Sequence, residues 1–550
     1  MIKSIFSIVA AGVLCSASLA NPTNHQPATS VVEHVVEGMP AKFSSLISND
    51  AMAVLWAGNP GGFIEEIEKF VPPVLPIPSS MNDLFSDMMH SDLKIPMTDS
   101  VMVWVEAGKQ FGRGQVGDPQ VFLAVDLPGA NENNTHAMSG STVHFSGDMV
   151  ILAQGDSVEW SKPENSDNRL ISRLPQQPIA VAVDVKRIWK DHGSQLQMLG
   201  GFGAMAAQMA MMDQAQGASR EDQARMRKVQ QKVGETSRTA MNGMFEGIKN
   251  MDYMTMSLGM DDSLLDMTMD FVCNDECGMS QGVNQKLIDE LPAGMSMYAA
   301  MNGQFMQWMT KMDMGLMNTL MSGLTKDEHK SVATTSQAFA DLFTSITGGV
   351  TTAMSFGKDG MTKWAEVEVS NSRDFIKGYE VAAQDFDKLD LGIDMTSTGT
   401  GKWKMSVDGE KFGKTMGDPQ AGEMLTREFG GELMLTMTPE TSSIVTAKVL
   451  PPNGSFPTGK ETGVRSMLNP PKGRNLVAAT SMDLRGMLAA AVMMAKPAGA
   501  PSPEQIQKMG EPVGMVFKGS AKGKSMQVNI GLDLAGVSDF AMMAMQMGLN

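Results

Sequence analysis

The sequence predicts an α+β fold made of duplicated modules, each an antiparallel sheet with helices packed on one face. Two repeated patterns lead to this prediction: a short apolar strand runs into an Asn- or Asp-initiated helix, and pairs of alternating strands joined by short turns follow. The copies lie at irregular spacings, which excludes a solenoid of fixed short period. With 42% hydrophobic and 19% charged residues over 550 positions, the chain has the composition of a folded globular protein.

The first repeated pattern is a strand followed at once by a capped helix. Its strands are MAVLW, IAVAV, MYAAM and LVAAT, and the residues that begin the following helices are Asn59, Asp184, Asn302 and Asp483. Asn and Asp suit this junction because their side-chain oxygens accept hydrogen bonds from the unpaired N–H groups of the first helical turn. Each junction therefore predicts the start of a helix.

The second repeated pattern is a hairpin with one apolar face. Between Tyr253 and Phe271, Met and Leu alternate with Thr, Ser and Asp on both sides of a Gly-Met-Asp-Asp-Ser turn. Period-two alternation of this kind is typical of an antiparallel sheet with one solvated face. Similar hairpins are predicted over 350–369, 432–449 and 513–532, with a divergent pair at 101–105 and 121–127.

The chain divides into seven predicted segments. Residues 1–20 carry one cation, an apolar run and small residues at the exit, which predicts a secretory signal peptide and a mature chain beginning at Asn21. A loose segment is predicted for 21–45. The remaining segments are module 1 (46–174), module 2 (175–289), module 3 (290–371), a less regular α+β section (372–470) and module 4 (471–550).

The order of these features is similar to that of a broad set of secreted bacterial proteins carrying domains of unknown function. The resemblance depends on the signal peptide, the Leu-Pro-Ala-Gly stretch at 291–294 before a strand, the Asn-initiated helix and the later hairpins. It implies an extracytoplasmic protein, periplasmic or secreted, that is not an enzyme. It supplies no catalytic residues to carry over.

Net charge and hydropathy exclude two classes of partner. The formal charge of −17 repels nucleic acid, whose binding depends on Lys and Arg side chains that neutralise phosphates. Beyond the signal peptide, no stretch reaches the length of about 18 uninterrupted apolar residues that a membrane helix needs. We therefore expect no nucleic-acid partner and no integral membrane segment in the mature chain.

Two cysteines remain in the predicted mature chain. Export favours a disulfide between Cys273 and Cys277, because thiols pair in an oxidising compartment. No histidine lies near them in the sequence, so their spacing does not predict a metal site. We expect no cofactor, no metal and no catalytic residues, because the chain lacks HExxH, GxSxG and Walker A motifs.

Methionine is the abnormal component, with 54 among 550 residues. Its thioethers could serve as Cu(I) ligands, replace Leu in the core, or form a pliable apolar surface for a hydrophobic small molecule or a protein. The helix predicted over 304–321 is apolar around about 200° of its circumference, wider than a core-facing stripe requires. The candidate binding residues on such helices are Met205, Met209, Met212, Met306, Met309, Met312, Met317 and Met321.

The predicted function is that of an exported, non-catalytic binding protein whose Met-rich helix faces hold a hydrophobic ligand or a protein partner. A Cu(I)-binding periplasmic protein is the alternative, and an enzyme of unrecognised type is the third hypothesis. The choice depends on whether the Met-rich faces are exposed or packed into the core, which periodicity alone does not decide.

Overall fold

The computed structural model shows a mainly β architecture. It describes residues 41–69, 100–127, 129, 141–198, 241–307, 326–388, 392–457, 463–495, 502, 505–506 and 513–537, with short gaps inside several of these ranges. The predicted α+β class is therefore confirmed only in part: the antiparallel sheet is present, but helices are few. The reason is that hairpin strands run to as many as 12 residues and outweigh the helices that the junctions predict.

The predicted signal peptide lies outside the described residues, as does most of the predicted loose segment. The part of that segment that is described contains a short helix, and Phe43 of this helix is buried in the core. No helix within the described ranges has the length and apolar character needed to cross a membrane.

The described residues divide into two compact units. Unit 1 comprises the described residues of Met1–Gly200, Asn242–Gly278 and Gly523–Asn529. Unit 2 comprises those of Gly201–Met241, Met279–Lys522 and Ile530–Asn550. Each unit thus combines distant parts of the chain, and the seven segment boundaries stay predictions.

Unit 1 is an antiparallel sheet with short helices at its strand ends. Its helices are α1 (Ala41–Ser44), α2 (Pro60–Glu68) and a stretch at 185–198, and a 3-10 turn covers Ile171–Arg173. Its strands are β1 (Ala51–Ala57), β2 (Val101–Glu106), β3 (Gln110–Phe111), β4 (Gln115–Val116), β5 (Gln120–Asp126), β6 (Ser141–Ser146), β7 (Met149–Gln154), β8 (Ile179–Val183), β9 (Met251–Asp261) and β10 (Leu264–Cys273). Strands β3 and β4 form a separate ribbon, and the sheet order is β6-β7-β5-β2-β1-β8-β9-β10.

Unit 2 is a larger antiparallel sheet. Its helices are α3 (Gln285–Asp289), α4 (Lys326–Thr344), α5 (Ser372–Asp387), α6 (Gly409–Met416) and α7 (Leu484–Ala495). Its strands are β11 (Met297–Met301), β12 (Ile346–Gly357), β13 (Gly360–Val369), β14 (Ile393–Gly399), β15 (Lys402–Val407), β16 (Glu432–Pro439), β17 (Ile444–Leu450), β18 (Asn475–Asp483) and β19 (Gly514–Lys522), and β20 (Ser525–Asp533) follows β19 in the chain. The sheet order is β14-β15-β16-β17-β13-β12-β11-β18-β19.

The two units share one strand order. The series β6-β7-β5-β2-β1-β8-β9 of unit 1 corresponds strand for strand to β16-β17-β13-β12-β11-β18-β19 of unit 2, in which α5, β14, β15 and α6 are additional. The central pairs have the same register, because Asp184 N donates to Met52 O and Asp483 N donates to Ser296 O, both at 2.8 Å. This equivalence allows each sheet position of unit 2 to be compared with one of unit 1.

All four strand–helix junctions are capped, as the sequence predicts. The Oδ1 atoms of Asn59, Asp184, Asn302 and Asp483 each accept a backbone N–H from the first helical turn, at 3.0, 2.9, 2.7 and 3.0 Å. Asn302 is fully buried, and its Nδ2 also donates to the carbonyl of Gln281 at 2.6 Å. This buried side chain therefore hydrogen-bonds backbone groups on two separate segments.

The β9–β10 hairpin confirms the predicted alternation and corrects one expectation about it. Met254 and Met256 lie opposite Phe271 and Met269, so the apolar residues share one face as predicted. The polar face of β9 is not solvated, however, because Thr255 is 7% exposed. The reason is that alternation reports which residues share a face, whereas solvation depends on what packs against that face.

In unit 2, helices α4 and α5 cover one face of the added strands. Phe375 and Ile376 of α5 pack in the same buried cluster as Trp403 and Leu435. Tyr379, also on α5, meets the Trp403 ring edge-on with centroids 5.1 Å apart. This covered region adjoins the part of the sheet that carries the candidate site.

The buried cap at Asn302 leads to a stability prediction. Asn302→Ala should lower the free energy of unfolding by about 2 to 3 kcal/mol, because it removes a fully buried amide and both of the hydrogen bonds that this amide makes, to Phe305 N and Gln281 O. The matched control is Asn371→Ala, an exposed cap of α5 that accepts from Arg373 N and Asp374 N and should cost about 1 kcal/mol. Urea unfolding measures both, and equal losses would contradict the role given to burial.

Candidate functional site

The structure places one of the eight predicted binding methionines. Met306 is half-buried and packs, like Phe339 and Phe343, against a buried apolar cluster of unit 2. It therefore takes part in core packing. The other seven predicted residues, Met205, Met209, Met212, Met309, Met312, Met317 and Met321, lie outside the described residues and stay predictions.

Only one cysteine of the predicted disulfide lies within the described residues. Cys273 is buried at the end of β10, where its backbone N donates to Lys524 O at 2.9 Å. Cys277 lies outside the described residues, so the pairing stays a prediction. Within the described ranges, no group of three or more His, Cys, Asp or Glu side chains is arranged to hold a metal ion.

A row of four methionines crosses the sheet of unit 2. Met354 of β12 lies opposite Met297 of β11, Met297 lies opposite Met482 of β18, and Met482 lies opposite Met515 of β19. Directly opposite residues of antiparallel strands share a face, with Cβ atoms about 5 Å apart. We call these four residues the methionine row.

The methionine row is only half-buried. Helix α7 packs against β12 and β18, yet each of the four side chains keeps part of its surface open to solvent. The neighbouring row on the same face includes Phe517, which is 39% exposed. Large apolar side chains that share a face and stay partly exposed are typical of a binding surface.

A lysine ends the methionine row. Lys363 of β13 lies opposite Met354 on one side and Val449 of β17 on the other. Burial lowers the pKa of Lys363, and it is the only cause of that shift. In the described part of the chain, no hydrogen-bond acceptor or carboxylate is paired with its ammonium group.

The equivalent row of unit 1 carries no charge and is more buried. It consists of Val121, Val105, Ala53, Val183 and Met254 across β5, β2, β1, β8 and β9. Val121 occupies the position of Lys363 and is 4% exposed. The same sheet position is therefore filled by core packing in unit 1 and by a half-buried cation in unit 2.

Sequence reasoning missed the methionine row. Alternation places Met297 and Met482 on one face of their own strands, but these strands are far apart in the chain, and their register is set by long-range pairing. The usable signal was Lys363, a charged residue in phase with apolar ones in a hairpin predicted to have one apolar face. It marks a position where the predicted packing is interrupted.

The opposite face of β13 carries a buried carboxyl. Glu366 is 3% exposed and lies between Thr351 of β12 and Thr446 of β17. Burial raises the pKa of Glu366 to about 7, and the nearby carboxylate of Glu290 adds to the shift. Glu366 Oε2 and Thr446 Oγ1 find no hydrogen-bond partner within the described structure.

The three unit 1 residues that match Glu366 and its two neighbours are apolar. Met102, Ala124 and Ile151 occupy the positions of Thr351, Glu366 and Thr446, and all three are fully buried. Strand β13 thus carries a desolvated ionisable group on each face, whereas its counterpart β5 carries neither.

A cavity of about 500 Å³ also opens in unit 1, between α2 and the β9–β10 turn. It is lined by Glu66, Lys69, Met260, Asp262 and Ser263. Ligand pockets are lined mainly by apolar side chains with a few polar groups. Because Met260 is the single apolar residue of this lining, the cavity does not suit the apolar ligand that the sequence predicts.

Compared with known proteins, the chain matches no protein-family model, no curated protein and no solved structure.

The buried carboxyl of Glu366 leads to a prediction about pH and stability. Between about pH 5 and pH 7 the folded chain holds a proton that the unfolded chain releases, so the free energy of unfolding should fall as the pH rises. A pKa shift of this size corresponds to about 3 kcal/mol of stability before solvent screening. We expect the free energy of unfolding to fall by about 2 kcal/mol over this pH range. Glu366→Gln should remove this loss and be more stable than the wild type at pH 8.

Urea unfolding at pH 5, 6, 7 and 8 measures this effect. The matched control is Glu368→Gln, two residues along the same face of β13, where Glu368 accepts from Asn284 Nδ2 at 3.2 Å. This variant should keep the pH dependence of the wild type. An unchanged pH profile in Glu366→Gln would show that another group titrates.

Proposed function

We propose that this chain is an exported, non-catalytic binding protein that holds an apolar ligand on the methionine row of unit 2. The observation that supports the proposal is the row itself, four half-buried methionines side by side on adjacent strands. The proposed binding surface therefore lies on a sheet face, whereas the sequence predicts binding surfaces on helix faces.

Methionine suits such a surface because its unbranched thioether side chain re-packs around varied apolar partners. Completing the burial of one half-buried Met contributes about 1 kcal/mol, so the row contributes about 4 kcal/mol. Burial of a similar area on the ligand brings the total to about 8 kcal/mol, which corresponds to roughly micromolar binding before the entropic costs of association. The row is therefore large enough for a small lipid-like molecule.

We also propose that the two units are duplicated modules of one ancestral sheet. The support is the shared order of seven strands and the equal register of the two central pairs. Under this proposal, unit 1 keeps the fully packed version of the row and unit 2 carries the binding version.

A neutral apolar probe tests the proposed ligand surface. N-phenyl-1-naphthylamine fluorescence should rise on binding to the full chain, and the double variant Met297→Gln/Met482→Gln should weaken binding about tenfold or more, because two amides then occupy the centre of the row. Mass spectrometry of a solvent extract from the purified protein should also detect an apolar molecule.

The matched control for this test is Met256→Gln in unit 1, a half-buried methionine of β9 that lies opposite Val181. It should leave probe affinity unchanged. Equal weakening in both variants would place the probe elsewhere, and the absence of any probe binding would refute the proposed function.

Cu(I) binding is the second candidate function, because the same row brings four thioethers next to one another and thioethers are soft ligands. Competition with bicinchoninate separates the two. If Cu(I) binds with submicromolar affinity and Met297→Gln/Met482→Gln abolishes this binding, the metal function replaces the apolar one.

Export is tested on the full chain expressed in a bacterial host. Fractionation should recover the protein outside the cytoplasm, N-terminal sequencing should begin at Asn21, and a thiol assay without reductant should detect no free cysteine, because Cys273 and Cys277 pair after export. Recovery of the uncleaved chain with three reactive thiols, Cys15 included, would contradict both expectations.

A further inference from the structure

Lys363 is the least expected residue on the ligand-binding face of unit 2. On its inner side the row continues through Val449 to Leu435, which is 4% exposed and belongs to the core beneath α5. On its outer side the row continues through Met354. The ammonium group therefore lies where a fully packed core ends and the methionine row begins.

A half-buried ammonium without a partner is unfavourable, because it loses hydration and gains no hydrogen bond in return. Burial already lowers the pKa of Lys363, and no acidic group among the described residues opposes that effect. Unit 1 shows that the fold does not require a cation here, since Val121 fills the equivalent position. An anion bound next to Lys363 would pair with an ammonium group that has no partner among the described residues.

The length of the row limits the size of its ligand. Four interstrand spacings of about 4.8 Å separate Lys363 on β13 from Met515 on β19, so the row is about 19 Å long. An extended alkyl chain advances about 1.3 Å per carbon, because its C–C bonds of about 1.5 Å zigzag, so roughly 14 to 16 carbons span this distance.

We infer that the ligand of the methionine row is a long-chain carboxylate, with its carboxylate on the Lys363 ammonium and its alkyl chain along Met354, Met297, Met482 and Met515. This inference rests on the proposed function and adds the polarity and length of the ligand. A lysine is a point charge with three donors and suits a monoanion, whereas bidentate recognition of phosphate favours arginine.

The test is displacement of N-phenyl-1-naphthylamine from the full chain by three competitors: hexadecanoate, hexadecanol and dodecanoate. Hexadecanoate should compete at least tenfold better than hexadecanol, which lacks the charge. Dodecanoate should compete at least tenfold less well than hexadecanoate, because each methylene contributes up to about fourfold in affinity.

Two lysine variants assign the head group. Lys363→Met should weaken hexadecanoate about tenfold or more and leave hexadecanol unchanged. The matched control is Lys448→Gln on the neighbouring strand, whose ammonium lies 4.3 Å from the centre of the Trp364 ring on the opposite face of the sheet. It should leave both affinities unchanged.

Unfolding measurements show whether Lys363→Met is folded, and its midpoint should rise because a desolvated charge is removed. If hexadecanoate and hexadecanol compete equally, or Lys363→Met binds both like the wild type, the carboxylate assignment is wrong and the apolar binding function stands. If the probe and all three competitors fail to bind, the proposed function and this inference fail together.

Discussion

The antiparallel pairing of two central strands determines the rest of each unit. In unit 2 these are β11 and β18, held in register by Asp483 N donating to Ser296 O. Because side chains alternate between faces with period two, this register assigns every residue of the sheet to one face. A shift of both strands by one residue would place Ser296 and Ser481 in the row instead of Met297 and Met482, and the apolar surface would be interrupted after Met354.

Local features of the fold were predictable from the sequence, because local chemistry decides them. The Asn and Asp caps need only their own side chain and the following turn, and the β9–β10 hairpin needs only its alternation and turn. The strand order was not predictable, because β1 pairs with β8 and β11 with β18 across more than a hundred residues. The candidate site depends on that long-range pairing.

Methionine content alone did not predict the methionine row, and of the eight predicted binding methionines only Met306 lies within the described residues. Met306, on a predicted binding helix, packs into a core cluster, whereas Met297 and Met482 on strands keep part of their surface open. The difference is one of packing geometry: a helix face is covered by whatever it docks against, while a sheet row stays open where no helix lies fully across it. Composition cannot distinguish these environments, because methionine tolerates both.

Strand β13 of unit 2 differs in its ionisable residues from its counterpart β5 of unit 1 at two positions, one on each face of the sheet. Its counterpart β5 has apolar residues at both positions, Val121 and Ala124, and so represents what this sheet contributes when only packing matters. In β13 the same positions are Lys363 and Glu366, and each disfavours the folded state by the loss of hydration. Natural proteins often contain residues that lower the stability of the fold at positions where activity requires them. Under the proposed duplication, unit 1 keeps the apolar residues that stabilise the sheet, and unit 2 can carry ionisable residues that lower its own stability.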